Sequence, residues 1–262
     1  MTANVNIAGD IGGDNLRLGD AAGRLTLHDW EALRAVYANS GSREYVGFFD
    51  DFLGDAVDAR WDDDLATGAT IAIQAAQNGT IRFSTDTDDN DHATLALGLH
   101  WLVSKGLTVF EARLASVTAI TLRAIEIGLS DAVSETAGLA FSSHDATPVD
   151  VATNAALFAI NSDESVATWS LLSVNAGTPA RDDSAITPVA GTFQGFKIVI
   201  DEFGNVDFYI DSDGDEADYQ LVGSHALGVA PTAVLTPWIS LKSLSAAAKS
   251  IDVDYVGIYG KR

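Results

Sequence analysis

Apolar and polar residues alternate over most of the chain after its first forty-five residues, and this period of two constrains the fold most strongly. In the stretch TVFEARLAS, Phe110, Ala112 and Leu114 share one face of a predicted strand, while Glu111 and Arg113 share the other. Such alternation is typical of antiparallel strands that are buried on one side. Helical periodicity is scarce over the same region, so an all-β fold is predicted.

A predicted hairpin, FKIVIDEFGNVDFYID, extends the pattern, with EFGN as its turn. The residues predicted to face inward in this hairpin are Phe196, Ile198, Ile200, Val206, Phe208 and Ile210. Further runs lie near residues 70–75, 79–84, 93–99, 122–129, 137–142, 155–161, 166–174, 232–241 and 250–259. A dozen or so strands separated by turn signals predict an antiparallel two-sheet jelly-roll sandwich, which 262 residues can form as one domain.

Residues 1–45 differ from the rest, because they are rich in Gly and Asp and carry few apolar residues. They are predicted to form an extended arm with one short helix, on which Trp30, Leu33 and Tyr37 share a stripe. A helix of about twelve residues is marginal alone in water. The predicted organisation is therefore an anchoring arm at 1–45 and a sandwich domain at 46–262. The three apolar residues are predicted to bury against a neighbouring chain, and docking on their own domain is the alternative.

The charge of the chain is strongly acidic, with 37 acidic against 15 basic residues and a formal net charge of −22. This balance argues against binding to nucleic acid or to anionic membranes. Aspartate outnumbers glutamate and only five lysines occur, a bias that indicates a protein from a salt-loving organism. An ordinary acidic surface protein is the alternative interpretation.

The chain contains no cysteine, so disulfides and zinc sites built on sulfur are excluded. Its start, MTANVNIAGD, lacks the basic and apolar regions of a secretory signal. No run of 18 uncharged apolar residues occurs, so no membrane insertion is expected.

The most acidic stretch is YIDSDGDEADYQ at residues 209–220. In an EF-hand calcium loop that begins at Asp211, glycine is required at the sixth position and glutamate at the twelfth. These positions hold Glu216 and Val222, so a solvated turn between two strands is predicted. The alternative is a loose, weak calcium site formed by Asp211, Asp213, Asp215 and Asp218. A second acidic stretch, STDTDDNDH at 84–92, is predicted to be a solvated turn for the same reason.

Four stretches resemble concanavalin A-like lectin/glucanase jelly rolls, most closely those in structural proteins of tailed viruses. They are FFDDFLGDAVDARW at 48–61, FEARLASVTAITLRAIEIGLSD at 110–131, FKIVIDEFGNVDFYIDSDG at 196–214 and SIDVDYVGIYGKR at 250–262. Glucanases of this family carry a Glu-x-Asp-x-x-Glu pattern on one strand, which places two carboxylates on the same face of the sugar. Here Glu126 is followed by Gly128 where the aspartate should stand, so no enzymatic activity is expected.

Histidines and tryptophans add no clear site. His28, His92, His100, His144 and His225 stand far apart in the sequence and match no metal-ligand spacing. Trp61, Trp169 and Trp238 lie in or beside strands and are predicted to be core residues rather than sugar-stacking platforms.

The resemblance and the missing signal predict a non-enzymatic virion protein. It would be a capsid decoration or surface protein of a tailed virus of a halophile, assembled in the host cytoplasm. Its expected partners are capsid proteins and further copies of itself, joined through the arm. No cofactor is expected beyond weakly bound calcium. The alternative is a lectin-like module that binds host-surface glycans on the concave face of a sheet.

Overall fold

A computed structural model describes residues 45–74, 79–98, 100–117, 120–132, 138–163, 168–215 and 218–261. Its strands are β1 (Tyr45–Asp50), β2 (Trp61–Leu65), β3 (Thr70–Gln74), β4 (Thr80–Ser84), β5 (His92–Leu97), β6 (Trp101–Leu102), β7 (Thr108–Ser116), β8 (Arg123–Ser130), β9 (Phe141–Ser143), β10 (Val149–Asp150), β11 (Ala155–Asn161), β12 (Ser170–Asn175), β13 (Thr178–Asp183), β14 (Phe193–Ile200), β15 (Val206–Asp211), β16 (Gln220–His225), β17 (Val234–Ser243) and β18 (Ser250–Lys261). One 3-10 helix, Val103–Lys105, follows β6. No helix among the described residues has the length and apolarity needed to cross a membrane.

Two eight-stranded antiparallel sheets form the sandwich. Sheet I has the order β16-β15-β14-β7-β18-β4-β3, and β1 pairs with β18 beside β4. Sheet II has the order β13-β12-β11-β8-β17-β5-β2, and β6 pairs with β17. Strands that are neighbours in the sequence often lie in different sheets, as β4 and β5 do. The chain therefore crosses repeatedly between the sheets, as expected for a jelly roll.

The main core lies between the sheets and is built from one face of each. On sheet I, β7 contributes Phe110 and β14 contributes Phe196, both fully buried. On sheet II, β8 contributes Ile127 and β11 contributes Phe158, whose ring centroid lies 5.1 Å from that of Phe196. Burial of such large apolar side chains supplies the main favourable term for a fold without disulfides.

The structure confirms the predicted all-β, two-sheet jelly-roll sandwich. The residues predicted to face inward on β7, β14 and β15 all belong to the main core. The strands β2 and β13 were not predicted, because their sequences WDDDL and TPARDD lack apolar alternation. The predicted arm at 1–45, with its helix and Trp30, Leu33 and Tyr37, lies outside the described residues except for Tyr45.

Candidate functional site

The outer face of sheet II, which points away from the main core, is also buried over the central strands of the sheet. Every residue of β8 and every residue of β5 is buried, although a strand with one solvated face would alternate. A second apolar cluster occupies this outer face and includes Leu157, Leu172 and Trp238 from the sheet. The same cluster includes Ala140, Phe141 and Ala152, which belong to a segment that crosses the face. We call residues 138–152 the cover segment.

Glu126 fixes the cover segment to sheet II. Its side chain is fully buried on the outer face of β8, opposite the core residues Ile125 and Ile127. The carboxylate accepts hydrogen bonds from the backbone N–H groups of Ala140 at 2.6 Å and Phe141 at 2.9 Å. The Nε1–H of Trp238 donates to the same carboxylate at 2.9 Å.

His144 completes the surroundings of the Glu126 carboxylate. Its Nε2 lies 2.8 Å from Glu126 Oε1, and both side chains are almost fully inaccessible to solvent. Three N–H donors and the His144 imidazole thus converge on one acid, and such hydrogen bonds offset the hydration that a buried carboxyl group loses. Glu126 is therefore an anchor of the cover segment, and no face of it is open to a substrate.

The cover segment approaches the sheet closely at Gly138. Its carbonyl accepts hydrogen bonds from the hydroxyls of Thr94, at 3.1 Å, and Ser240. Gly138 has a φ of +70°, and a Cβ there would overlap the His92 side chain. Both the left-handed backbone and the close contact require glycine at this position.

A second buried histidine, His225, connects the two sheets where their edge strands β16 and β13 lie close together. His225 on β16 of sheet I places Nδ1 2.6 Å from Ser173 Oγ on β12 of sheet II. Its Nε2 lies 3.4 Å from Asp182 Oδ2 on β13. Burial lowers the pKa of His225 below its ordinary value, and Asp182 opposes this shift.

These three residues have the composition of a hydrolytic triad but not its accessibility. Ser173 is fully buried and His225 is 7% exposed, so the hydroxyl cannot meet a substrate carbonyl. The arrangement instead links β12 to β16 through a hydrogen bond across the sandwich edge.

The acidic stretch at 209–220 connects β15 to β16, which pair antiparallel, so the predicted turn between two strands is confirmed. Asp211 is fully buried at the end of β15, and its Oδ1 accepts hydrogen bonds from the N–H groups of Asp213 at 3.3 Å and Gly214 at 3.2 Å. Gly214 has a φ of +67°, and a Cβ there would overlap the carbonyl of Phe193. The loop therefore folds back tightly against sheet I.

This loop also brings four carboxylates together. One oxygen from each of Asp211, Asp213, Asp215 and Asp218 lies within 4.8 Å of the others. Oxygens that bind one calcium ion at 2.3–2.6 Å can be at most about 5 Å apart, so the four residues fit a hard cation. Calcium takes 6–8 oxygens, and water would have to supply the remainder. The cluster is therefore a candidate for weak cation binding.

The second acidic stretch joins β4 of sheet I to β5 of sheet II, so it is a crossover between sheets rather than a hairpin. Asp86, Asp88 and Asp89 are exposed within it, as expected for a solvated turn. The predicted core positions of Trp61, Trp169 and Trp238 are confirmed, with exposures of 7%, 1% and 0%.

Sequence reasoning missed the partners of the histidines. It treated His144 and His225 as isolated, whereas the fold places them beside Glu126 and Asp182, 18 and 43 positions away along the chain. Spacing motifs cannot detect such pairs, because strand pairing brings the residues together. The loose cation site given as the alternative for residues 209–220 names the same four aspartates whose carboxylates lie close together in the structure.

Comparison with known proteins identifies the fold. Peanut lectin superimposes with a TM-score of 0.58 at 10% identity over 84% of this chain and 99% of the lectin. The carbohydrate recognition domain of Emp47p gives a TM-score of 0.55 at 10% identity over 84% of this chain and 98% of that domain. An endo-β-1,4-glucuronan lyase from Trichoderma reesei gives 0.51 at 11% identity over 80% of this chain and 94% of the lyase. No protein-family model matches the chain, and its sequence has no significant match among curated proteins.

The similar structures include both sugar-recognition domains and an enzyme, so the likeness does not select a function. The Emp46p carbohydrate recognition domain, at 11% identity and a TM-score of 0.50, has been solved with potassium bound. Identities this low establish architecture alone. The chain has the concanavalin A-like jelly-roll fold of the lectin/glucanase type.

Proposed function

We propose that the chain is a non-enzymatic structural module. One observation carries this proposal: the cover segment packs on the central strands of the outer face of sheet II, and beneath it Glu126 accepts three N–H hydrogen bonds and contacts His144. Glu126 is also the acid that stands nearest to the glucanase pattern. A carboxylate in these surroundings can neither protonate a glycosidic oxygen nor attack a sugar carbon.

The first experiment tests the absence of catalysis. The full chain is incubated in molar salt with a panel of polysaccharides that includes β-1,4-glucuronan, and released ends are quantified. No turnover above buffer is expected. Turnover that disappears in a folded Glu126→Gln variant would contradict the proposal.

The structural role that we propose is that of a surface or decoration protein on the virion of a tailed virus with a halophilic host. Three features support it: the acidic surface, the sequence resemblance and a compact sandwich that needs no disulfide. A closely spaced acidic surface remains hydrated in concentrated salt, where counter-ions screen its repulsion. Localisation to the virion is part of the same proposal.

Virus particles provide the test of this role. Antibody against the chain should label purified particles in electron micrographs, and flanking genes should encode capsid, portal or tail proteins. Deletion of residues 1–44 should preserve the far-ultraviolet circular dichroism of the sandwich while abolishing particle attachment. Unlabelled particles, or attachment that survives the deletion, would contradict the virion role or the anchoring role of the arm, respectively.

Glycan recognition is the second candidate, and the likeness to peanut lectin and the Emp47p domain favours it. A sugar could not stack on Trp61, Trp101, Trp169 or Trp238, because all four are buried. A glycan array with the full chain would separate the candidates. Saturable binding to a defined oligosaccharide would support glycan recognition. Absence of binding across the array would favour the structural role over glycan recognition.

A further inference from the structure

The turns at one end of the sandwich carry exposed apolar side chains. We call this end the turn end, and it comprises the turns at 176–177, 201–205 and 226–233, which follow β12, β14 and β16. Phe203 is 61% exposed and Leu227 is 57% exposed on two of these turns. Leu107 is exposed as well, and it precedes β7 beside the end of β14. Grouped apolar exposure marks interaction surfaces, whereas single exposed apolar residues are ordinary.

Leu227 is fixed to both sheets by hydrogen bonds of its backbone. Its N–H donates to Asn205 Oδ1 at 3.0 Å, and Asn205 lies in the turn that carries Phe203. Its carbonyl accepts a hydrogen bond from Asn175 Nδ2, at the end of β12 in sheet II, at 2.8 Å. The backbone of the two apolar turns is therefore ordered before any partner binds, which lowers the entropic cost of binding there.

The backbone conformation of Leu227 is unfavourable for leucine. Its φ is +49°, in the left-handed region where glycine and asparagine are favoured. Glycine or asparagine would relieve this strain and would also remove an exposed apolar side chain, so folding does not account for leucine here. Leu122 is also exposed, with a φ of +55°, so strain alone does not assign a site. Leu122 lies before β8 at the opposite end of the sandwich, away from Phe203 and Leu227.

Few charges occur at the turn end. The turns at 176–177 and 226–233 contain no charged residue. Asp201 is engaged within its own turn, where its Oδ1 accepts hydrogen bonds from two backbone N–H groups. Glu202 is acidic, and Lys105, in the 3-10 helix that is hydrogen-bonded to the turn at 226–233, is basic. A second copy of this end can therefore approach with little repulsion.

The opposite end of the sandwich is strongly acidic. The crossover at 85–91 contains four aspartates, and the loop at 212–219 contains three aspartates and a glutamate. The registers of β4, β7, β14 and β15 in sheet I place both at the end away from the turn at 201–205. In a chain with a net charge of −22, two copies are therefore expected to repel each other through this end and to associate through the other.

We propose that the turn end is a self-association surface, on which a second copy of this chain docks its own turn end about a two-fold axis. Phe203 and Leu227 of each copy then bury against the turns of the other, and no strand is added to either sheet. The opposite charges of Glu202 and Lys105 suit a contact of this end with its own copy, since each sign then faces a surface that carries the other. This inference goes beyond the virion role and does not depend on it.

The acidic ends of such a pair lie far apart. β18 has 12 residues, which at about 3.3 Å each give a length of about 40 Å. Association through the turn ends therefore separates the acidic loops of the two copies by about 80 Å. This separation is many times the Debye length of about 3 Å in 1 M salt, so repulsion between the acidic ends does not oppose the contact.

The mass of the full chain in molar salt is the first test. Light scattering coupled to gel filtration should give twice the 27.5 kDa of one chain at high concentration. The double variant Phe203→Ser, Leu227→Asn removes both apolar side chains and should give the mass of one chain. Leu122→Asn is the matched control, because it makes the same change at a similar φ at the acidic end, and it should leave the dimer intact. A wild-type monomer at every concentration, or a dimer that survives the double variant, would overturn the proposal.

Unfolding by urea separates association from folding. It is measured on Leu227→Asn and on the wild type at a concentration at which both have the mass of one chain. Asparagine adopts the left-handed region more readily than leucine, so the variant should keep or raise the urea midpoint while it weakens the dimer. A lowered midpoint would show that Leu227 serves the fold, and would contradict its assignment to a docking surface.

Cysteine cross-linking tests which ends meet, and the chain contains no native cysteine that would react. With a short bis-maleimide in molar salt, Leu227→Cys should give a linked dimer, because the two turn ends face each other. Leu122→Cys should stay unlinked, since the acidic ends point away from each other. Equal cross-linking of the two variants, or none at Leu227→Cys, would refute the end-to-end arrangement even if a dimer forms.

Discussion

Replacement of Glu126 by alanine should destabilise the sandwich strongly, although the same change in an enzyme of this fold would chiefly abolish activity. The substitution leaves the N–H groups of Ala140 and Phe141 and the indole N–H of Trp238 buried without an acceptor. It also removes the partner of His144. The effect should therefore appear in the free energy of unfolding.

The magnitude follows from these contacts. Each buried donor left without an acceptor costs about 1–3 kcal/mol, so the three neutral N–H groups lose about 3–9 kcal/mol in total. Part of this loss is offset because a carboxylate no longer has to be buried. A net loss of about 3–5 kcal/mol is expected, as for other buried pairs that lose one member. Glu126→Gln retains one acceptor oxygen and should lose less, about 1–3 kcal/mol.

Urea unfolding in molar salt, followed by tryptophan fluorescence and circular dichroism, measures this loss. Glu202→Ala is the matched control, because Glu202 is exposed in the turn between β14 and β15 and should change stability by less than about 0.5 kcal/mol. A loss below about 1 kcal/mol for Glu126→Ala would refute the role of this residue as the anchor of the cover segment.

Three further predictions concern charge. The melting temperature should rise steeply between dilute and molar salt, by about 2–4 °C for each kcal/mol of screened repulsion, and a flat thermal-shift series would remove the halophile interpretation. A chelator should shift the melting temperature little, because the stabilisation by a bound ion follows RT ln(1 + [L]/Kd) and the loop at 209–220 offers an incomplete ligand set. Calorimetry that shows tight calcium binding, abolished by Asp213→Asn, would contradict this prediction. The pKa of His225 is lowered from 6.5 in the folded protein, so the imidazole binds a proton more readily in the unfolded chain. The stability that neutral His225 contributes is therefore present above about pH 6.5 and is lost as the pH falls through the lowered pKa. Denaturation between about pH 8 and pH 5 should therefore show a weaker pH dependence in His225→Asn, whereas the exposed-site variant His100→Asn should match the wild type.

Most of the sandwich could be predicted from the sequence, because alternation reports which face of a strand is buried. The alternation of apolar and polar residues is enough to predict the buried faces around Phe110, Phe196 and Phe208. The same reasoning fails at β2 and β13, because these strands lie at the edges of sheet II, where charged residues are favoured and apolar alternation is absent. It also fails on β8, where both faces are buried and Glu126 occupies an apparently solvent-facing position.

The closed face of sheet II could not be predicted, because it depends on contacts between distant parts of the chain. The segment around Phe141 had an apolar pattern that predicted a strand at 137–142, and β9 begins only at Phe141. Its location over the sheet follows from small residues beneath it, such as Ala155 and Ala159, and from bonds to Glu126. Neither feature has a spacing signature in the sequence.

Amide hydrogen exchange of the cover segment tests the central claim most directly, since that claim requires the outer face of sheet II to be closed. The measurement uses the wild-type full chain in molar salt, with and without a polysaccharide panel. The amides of Ala140 and Phe141 should exchange as slowly as those of β8, and saccharides should leave their rates unchanged. Exchange in seconds, or exchange that a saccharide accelerates or suppresses, would show that the face opens to a ligand and would contradict the account.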